Sequence, residues 1–299
     1  MQIFCTGSSG LVASDFKKLV QEKGIKFIGL DLHGEKESAD ITNLESFKKI
    51  VEKNLDKKQK AALFHFAAFT ATGKNLSDKE IELCQKLNVE GTKNVLKACE
   101  DLKIPMVHIS TDFVFSGGKK RSPYLPSDEL CPDETYYSQT KAQAENLVWE
   151  KRDTQHVNIM RLAFPYGNFS HPKMGLARKI MTWMEERPEV NLYDDQQICP
   201  TPIEFISRSC LKLAQLIESE DILSGVILHV VGQQITPFEF GNLIKVIFDK
   251  KAKLNPTKAI DTYKYMVLST KETEDILGFK IPGHRQALKA LRSKVYNRF

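Results

Sequence analysis

Tyr137 and Lys141, in the run Tyr137-Ser138-Gln139-Thr140-Lys141, stand four residues apart, which on a helix puts them on one face about a turn apart. Such a couple is suited to proton transfer. A free phenol has a pKa near 10, and bringing it to about 7 needs roughly 4 kcal/mol in favour of the phenolate. An ammonium at about 4 Å supplies that amount when the effective dielectric is near 20. Chance produces Tyr–Lys pairs often, so the weight of this one comes from its company. His108-Ile109-Ser110-Thr111-Asp112 ends an apolar strand pattern. A hydroxyl emerging there at Thr111 can hydrogen-bond a carbonyl oxygen while Tyr137 delivers the proton.

A second motif lies near the amino terminus, where Thr6-Gly7-Ser8-Ser9-Gly10-Leu11-Val12-Ala13 falls between a strand and a helix. That is the place of a dinucleotide-binding turn. Gly7 allows the tight bend, Gly10 lets the backbone approach a pyrophosphate, and Ala13 permits close helix–sheet packing, with Ser9 and Leu11 completing the loop. Asp31 ends the second strand about 20 residues on, placed to accept hydrogen bonds from adenosine ribose hydroxyls. An acid there favours NAD over NADP, while His33 and Lys36 nearby weaken that preference. Asp40-Ile41 follows as a flank for the adenine.

The elements that must carry these residues alternate. Strands are expected at Gln2 to Thr6, Lys26 to Asp31, Ala61 to Ala68, Met106 to Ser110 and His156 to Leu162. Helices fall between them at Leu11 to Lys23, Leu44 to Asn54 (capped by Thr42 or Asn43), Asp78 to Leu102 and Tyr136 to Lys151. Strict β/α alternation implies a Rossmann-type, doubly wound parallel sheet with ligands at the carboxyl ends of its strands. After Tyr166 the pattern is less regular, with helices at Met174 to Glu186, Glu204 to Ile217, Pro237 to Phe248 and Arg285 to Val295 and a strand at Val226 to Val231. The expected division is a dinucleotide-binding domain over 1–169, with segments returning at about 201–232. A smaller, interleaved substrate-binding lobe takes 170–200 and 233–299.

Composition narrows the function classes. With 41% apolar and 27% charged residues in 299, the chain reads as a soluble globular protein with one large or two smaller domains. Its longest apolar runs are strand-sized, short of the roughly 20 residues needed to span a membrane. The first strand starts almost at Met1, leaving no room for a signal peptide. Six scattered cysteines without a Cys-x-x-Cys pair point to reduced thiols in a cytoplasmic protein and to no metal site. A net charge of +5 is mild, and no nucleic-acid module is present. His65, His108 and His229 sit within apolar strand patterns and read as packed or backbone-bonded residues.

Taken together, these motifs resemble the extended short-chain dehydrogenase/reductases. The matching pieces are the Gly7/Gly10/Ala13 turn, Asp40-Ile41, Phe66-Ala67-Ala68, Asn88-Val89-Glu90-Gly91-Thr92, Ser110-Thr111-Asp112, Tyr137/Lys141 and Arg161 to Gly167, in the family's order. The resemblance implies that Ala67, Ala68 and Thr70 line the cofactor, that Asn88 supports the central helix and the site, and that Lys141 binds the nicotinamide ribose as well as tuning Tyr137. Within that superfamily, Ser110 to Gly117 and the Asp195-Gln196…Pro200-Thr201 element are similar to the dTDP-4-dehydrorhamnose reductase family. This implies sugar-nucleotide contacts at Asp112, Phe164 and Gln196. Phe164 stands where those reductases usually carry Trp, which bears on the choice of sugar.

The reading that follows is an NAD- or NADP-dependent reductase of a keto group on a nucleotide-linked sugar. Two alternatives stay open: a sugar-nucleotide epimerase, and a non-catalytic NAD(P)-binding regulatory subunit. A 4,6-dehydratase fits less well, since Phe113 follows Asp112 where those enzymes place Glu. The resemblance also raises a homodimer through the helices containing Asn88 and Tyr137.

Overall fold

The structure, a computed structural model, describes residues 1–32, 38–118, 123–221, 224–259 and 264–296. Its first half winds as β1 (Gln2–Thr6), α1 (Ala13–Glu22), β2 (Lys26–Leu30), α2 (Leu44–Asn54), β3 (Ala61–His65), α3 (Asp78–Gln85), α4 (Gly91–Leu102), β4 (Met106–Thr111), α5 (Tyr136–Trp149) and β5 (Val157–Leu162). The second half adds β6 (Pro165–Tyr166), α6 (Leu176–Glu186), β7 (Glu189–Tyr193), β8 (Thr201–Pro202), α7 (Ile203–Ser219), β9 (Val226–Val230), α8 (Pro237–Ile247), β10 (Lys253–Thr257), α9 (Lys271–Leu277) and α10 (His284–Tyr296). Two compact units result. One comprises 1–115, 129–161 and 207–228; the other comprises 116–128, 162–206 and 229–299.

A six-stranded sheet ordered β2-β1-β3-β4-β5-β9 forms the frame of the first unit. β1 runs parallel to β2 and β3, and β3 parallel to β4, with Thr6 opposite His65 and His65 opposite His108. That register lines up three polar side chains across three neighbouring strands, Thr6 and His65 at the ends of theirs and His108 midway along β4. Alternation along β3 covers both faces. Leu63 joins a core with Phe4, Leu30, Phe47, Val95, Met106 and Ile159. Phe64 turns the other way, its ring 5.0 Å from that of Phe16 on α1. A strand buried on both faces must be apolar at nearly every position, as 61–65 is.

The third strand stops at His65, short of the expected Ala68. Beyond it the amide of Ala67 turns to the Thr6 hydroxyl (3.2 Å). The helix expected over 78–102 carries one π-type turn at Lys86–Glu90 between α3 and α4. α2 is capped by Asn43, whose Oδ1 accepts from Ser46 N at 3.1 Å.

In the second unit, β7 and β10 pair in parallel, Glu189 opposite Lys253 and Tyr193 opposite Thr257. Val190 and Leu192 on β7 face a core with Ile180 and Met184 of α6, Phe240 and Ile244 of α8, and Leu288 of α10. α8 starts on a capping box, Thr236 Oγ1 accepting from Glu239 N while Glu239 Oε2 accepts from Thr236 N, with Pro237 in the first turn.

Candidate active site

α5 begins where Thr135 caps it, its hydroxyl accepting from Ser138 N at 3.3 Å. The buried face of α5 then presents Tyr137, Lys141 and Glu145 at successive turns. Across from it, β4 ends at Thr111, whose Oγ1 accepts from Phe113 N (3.3 Å) and donates to Asp112 Oδ1 (3.0 Å). The Thr111 hydroxyl also acts on the phenol of Tyr137, favouring its ionised form. The Tyr137 ring meets Phe113 edge-on, centroids 5.8 Å apart. Lys141, 3% exposed, donates to Ile109 O at 2.8 Å and to His108 Nε2 at 3.3 Å. Thr111, Tyr137 and Lys141 are thus gathered in one unit, at the carboxyl end of β4.

The electrostatics differ from the sequence expectation in one respect. Burial, with smaller contributions from Asp112 and Cys84, pushes the Tyr137 phenol up to about 12, and only the Thr111 hydroxyl opposes it. Lys141 does not act as the depressant, because its ammonium is turned to the Ile109 carbonyl and His108. Burial brings Lys141 itself down to about 8, against the pull of Glu145 and then Cys84. Asp112, 1% exposed, is pushed up to about 7, burial outweighing its hydrogen bonds from Thr111 and nearby backbone. Its Oδ2 is buried without a hydrogen-bond partner among the described residues. His65, bonded to Thr6 Oγ1 (2.7 Å) and Thr92 Oγ1 (3.0 Å), is lowered to about 3 by burial first and Lys141 second, and is neutral.

The residues expected to hold a dinucleotide fit that group. Gly7 has φ +62°, and a Cβ there would lie 2.8 Å from both Cα and N of Ala67, so only glycine suits the turn. α1 opens at Val12 with no side-chain cap, and two of its first amides are taken by the turn itself, Ser14 N donating to Gly10 O at 2.9 Å and Asp15 N to Val12 O at 3.2 Å. Ser9 donates from N (3.0 Å) and Oγ (2.6 Å) to Asp31 Oδ2, tying the turn to the end of β2. Leu11 is buried beside Gly10 in the same turn. Thr70 is exposed in the loop after β3, where Ala67 and Ala68 are half-buried.

Besides Ser9 and Asp31, three more of the expected residues are occupied within the protein. Asp40 Oδ1 accepts from Thr42 N and Oγ1, both at 2.8 Å, and shapes the loop before α2. Ile41 lies in the core with its Cδ1 against Gly91. Asn88, inside the π-type turn, accepts from Phe69 N (2.8 Å) and donates toward Phe69 O (3.1 Å) and Thr140 Oγ1 (3.1 Å). It therefore holds the loop carrying Ala67, Ala68 and Thr70 to α5. His33 and Lys36 lie outside the described residues.

Phe164 and Gln196 belong to the second unit. Phe164 sits at φ +42°, an uncommon backbone state for an aromatic residue, and its carbonyl accepts from Thr201 N at 3.2 Å. Gln196 is half-buried in the turn after β7. Sequence reasoning missed Cys84 and Thr140, which surround the Asn88 amide, and the pairing of Glu145 with Arg161. A Glu one turn beyond Lys141 on an inward face was the available signal for the second. Among the described residues no group of three or more His, Cys, Asp or Glu is placed to hold a metal, and no helix is long and apolar enough to cross a membrane.

Comparison with known proteins places these residues in context. The family described as RmlD substrate binding domain matches residues 1–297. A probable low-salt glycan biosynthesis reductase, Agl14, from Haloferax volcanii is 28% identical over 265 residues, covering 85% of this chain and 82% of its own. A dTDP-4-dehydrorhamnose reductase from Escherichia coli is 24% identical over 271 residues, covering 89% and 85%. The crystal structure of a dTDP-4-dehydrorhamnose reductase from Bacillus anthracis in complex with NADP superposes with a TM-score of 0.82 at 21% identity, covering 98% of this chain and all of that one.

Proposed function

The chain belongs to the RmlD substrate binding domain family, and from that premise we propose that it is an NAD(P)-dependent reductase of a keto group on a nucleotide-linked sugar. The observation that carries the reading is the buried set of Thr111 at the end of β4 and Tyr137 on α5, with buried Lys141 one helical turn further on. Relatives whose names state reduction of dTDP-linked keto sugars support it.

Thr111 holds the keto oxygen, and the Tyr137 hydroxyl gives that oxygen its proton as charge develops on it. A phenol pushed up to about 12 stays protonated at physiological pH, the state a donor needs for reduction. Lys141 is turned to Ile109 O and His108 and not to the phenol, so its part in this reading is toward the nicotinamide ribose. NAD(P)H, when bound, supplies the hydride. Gly7, Ser9, Gly10 and Leu11 would take its pyrophosphate and Asp31 its adenosine end, beside the loop that Asp40 and Ile41 hold in place. Ala67, Ala68, Thr70, Asn88 and Lys141 would hold or support the nicotinamide end. Asp112, Phe164 and Gln196 are assigned to the sugar nucleotide. The first unit would bind the dinucleotide and the second the substrate. Six free thiols support a cytoplasmic setting, and a homodimer through the helices containing Asn88 and Tyr137 belongs to the same reading.

The test is turnover of a dTDP-linked 4-keto sugar with NADH and with NADPH, followed by loss of reduced-nicotinamide absorbance. Tyr137→Phe should abolish that loss and leave cofactor binding intact. Wild-type protein that binds the cofactor yet oxidises none with any sugar-nucleotide ketone would defeat the proposal.

A further inference from the structure

One buried cluster beside the site has no part in the chemistry above. Arg161 on β5 and Glu145 on α5 are each 1% exposed. Arg161 donates to Glu145 Oε1 from Nε at 2.9 Å and from Nη2 at 2.6 Å. The second carboxylate oxygen, Oε2, accepts from the Ser110 hydroxyl. The guanidinium also lies 5.0 Å from the centre of the Phe115 ring. An ion pair this deep is weak as a source of stability, since a well-packed apolar pair often replaces it without loss. Its neighbours point to another use. Ser110 directly precedes Thr111, while Glu145 follows Lys141 by one helical turn and Tyr137 by two. The cluster therefore ties α5 to β4 and β5 at the level of the three proposed catalytic residues.

Glu145 also faces a crowded set of titratable groups around Lys141. His108 on β4 and His65 on β3 are neutral bases, their rings 5.5 Å apart, and Cys84 comes from α3. Tyr137 on α5 and Asp112 after β4 complete the set. Among these, Glu145 is the strongest influence holding Lys141 in its protonated form against burial.

We propose that Glu145 is a positioning residue of this site, fixed by Arg161 and Ser110, whose charge keeps Lys141 a cation one helical turn from the phenol. The proposal rests on the reductase reading for its effect on turnover, but the charge of Lys141 is measurable without substrate. The experiment is NMR of the whole protein carrying carbon-13-labelled lysine, with the Lys141 signal assigned by its loss in Lys141→Met and followed through a pH titration. Wild type should titrate at about 8. Glu145→Gln removes the anion and leaves the guanidinium unbalanced, so the midpoint should fall by roughly 1–3 pH units. Arg161→Met leaves the carboxylate unbalanced, so the midpoint should rise. A loosened fold would admit water and raise the midpoint in both variants, so the opposite signs separate charge from disorder. The double variant Glu145→Gln/Arg161→Met holds no unbalanced buried charge; it should show a smaller fall and serves where a single variant does not fold. Equal midpoints throughout, or a rise in both single variants, overturn the proposal. Opposite shifts in a protein that reduces no keto sugar would sink the reductase reading while upholding the role of Glu145.

Discussion

Replacing Asp112 by Asn should make the protein more stable in alkaline buffer and hardly change it in acid. The Asp112 carboxyl is 1% exposed, its Oδ2 lacks a hydrogen-bond partner, and burial lifts it from 3.8 to about 7. Folded Asp112 thus keeps its proton to a higher pH than the unfolded chain does. The stability it contributes is complete below pH 3.8 and is lost as pH rises to about 7. That gap corresponds to about 4 kcal/mol, a large share of the roughly 5–15 kcal/mol that holds a typical domain. Asn keeps the acceptor that receives the Thr111 hydroxyl and cannot ionise. Urea unfolding of wild type and Asp112→Asn between pH 4 and about pH 8 would measure the effect, as a difference in midpoint at unchanged slope. The difference between the two proteins should grow to a few kcal/mol in favour of Asn across that range. A constant difference would refute the claim that a buried carboxylate is being forced to ionise. Turnover should fall in the same variant, because stability given up at a site is commonly held there for function.

The remaining expectations concern the turn after β1 and the loop after β3. Gly7→Ala should destabilise by about 2 kcal/mol or more and weaken dinucleotide binding, since it combines φ +62° with a contact at 2.8 Å to the Ala67 backbone; thermal melts and fluorescence titration with NADH measure both. Asn88→Ala should cost about 3 kcal/mol, because Phe69 N–H and C=O lose their partner. Chemical denaturation would show this, and a loss under about 1 kcal/mol would mean that water replaces the amide.

The alternating half of the fold was legible because its strands are buried on both faces and so announce themselves as apolar runs, as in Ala62-Leu63-Phe64. The same signal overran at Phe66 to Ala68, where apolar residues continue after the backbone has left the sheet for the Thr6 hydroxyl. β7 and β10 were not anticipated. They pair across more than sixty residues; β7 alternates exposed and buried positions over only five residues, and β10 contains Pro256 and an exposed Lys253. Residue types and spacing singled out Thr111, Tyr137 and Lys141, which the fold gathers at the end of β4, yet not the direction of the ammonium. Spacing along a helix says which residues share a face; it does not say that the ammonium will turn to the Ile109 carbonyl. The place of Glu145 one turn beyond Lys141 was readable on the inward face of α5, but its partner Arg161 lies sixteen residues later on a strand, which helical spacing does not indicate.

The five-residue turn at Lys86–Glu90 makes the long helix change phase partway along. One surplus residue rotates everything upstream by about 100° relative to everything downstream. The stretch ending in Cys84 can therefore look toward α5 while Val95, Ala98 and Cys99 look toward the sheet. Trimming that single residue would restore an unbroken spiral with better local geometry, and would swing the Asn88 amide off the loop it secures. The irregular winding is what lets one rod serve two differently oriented neighbours.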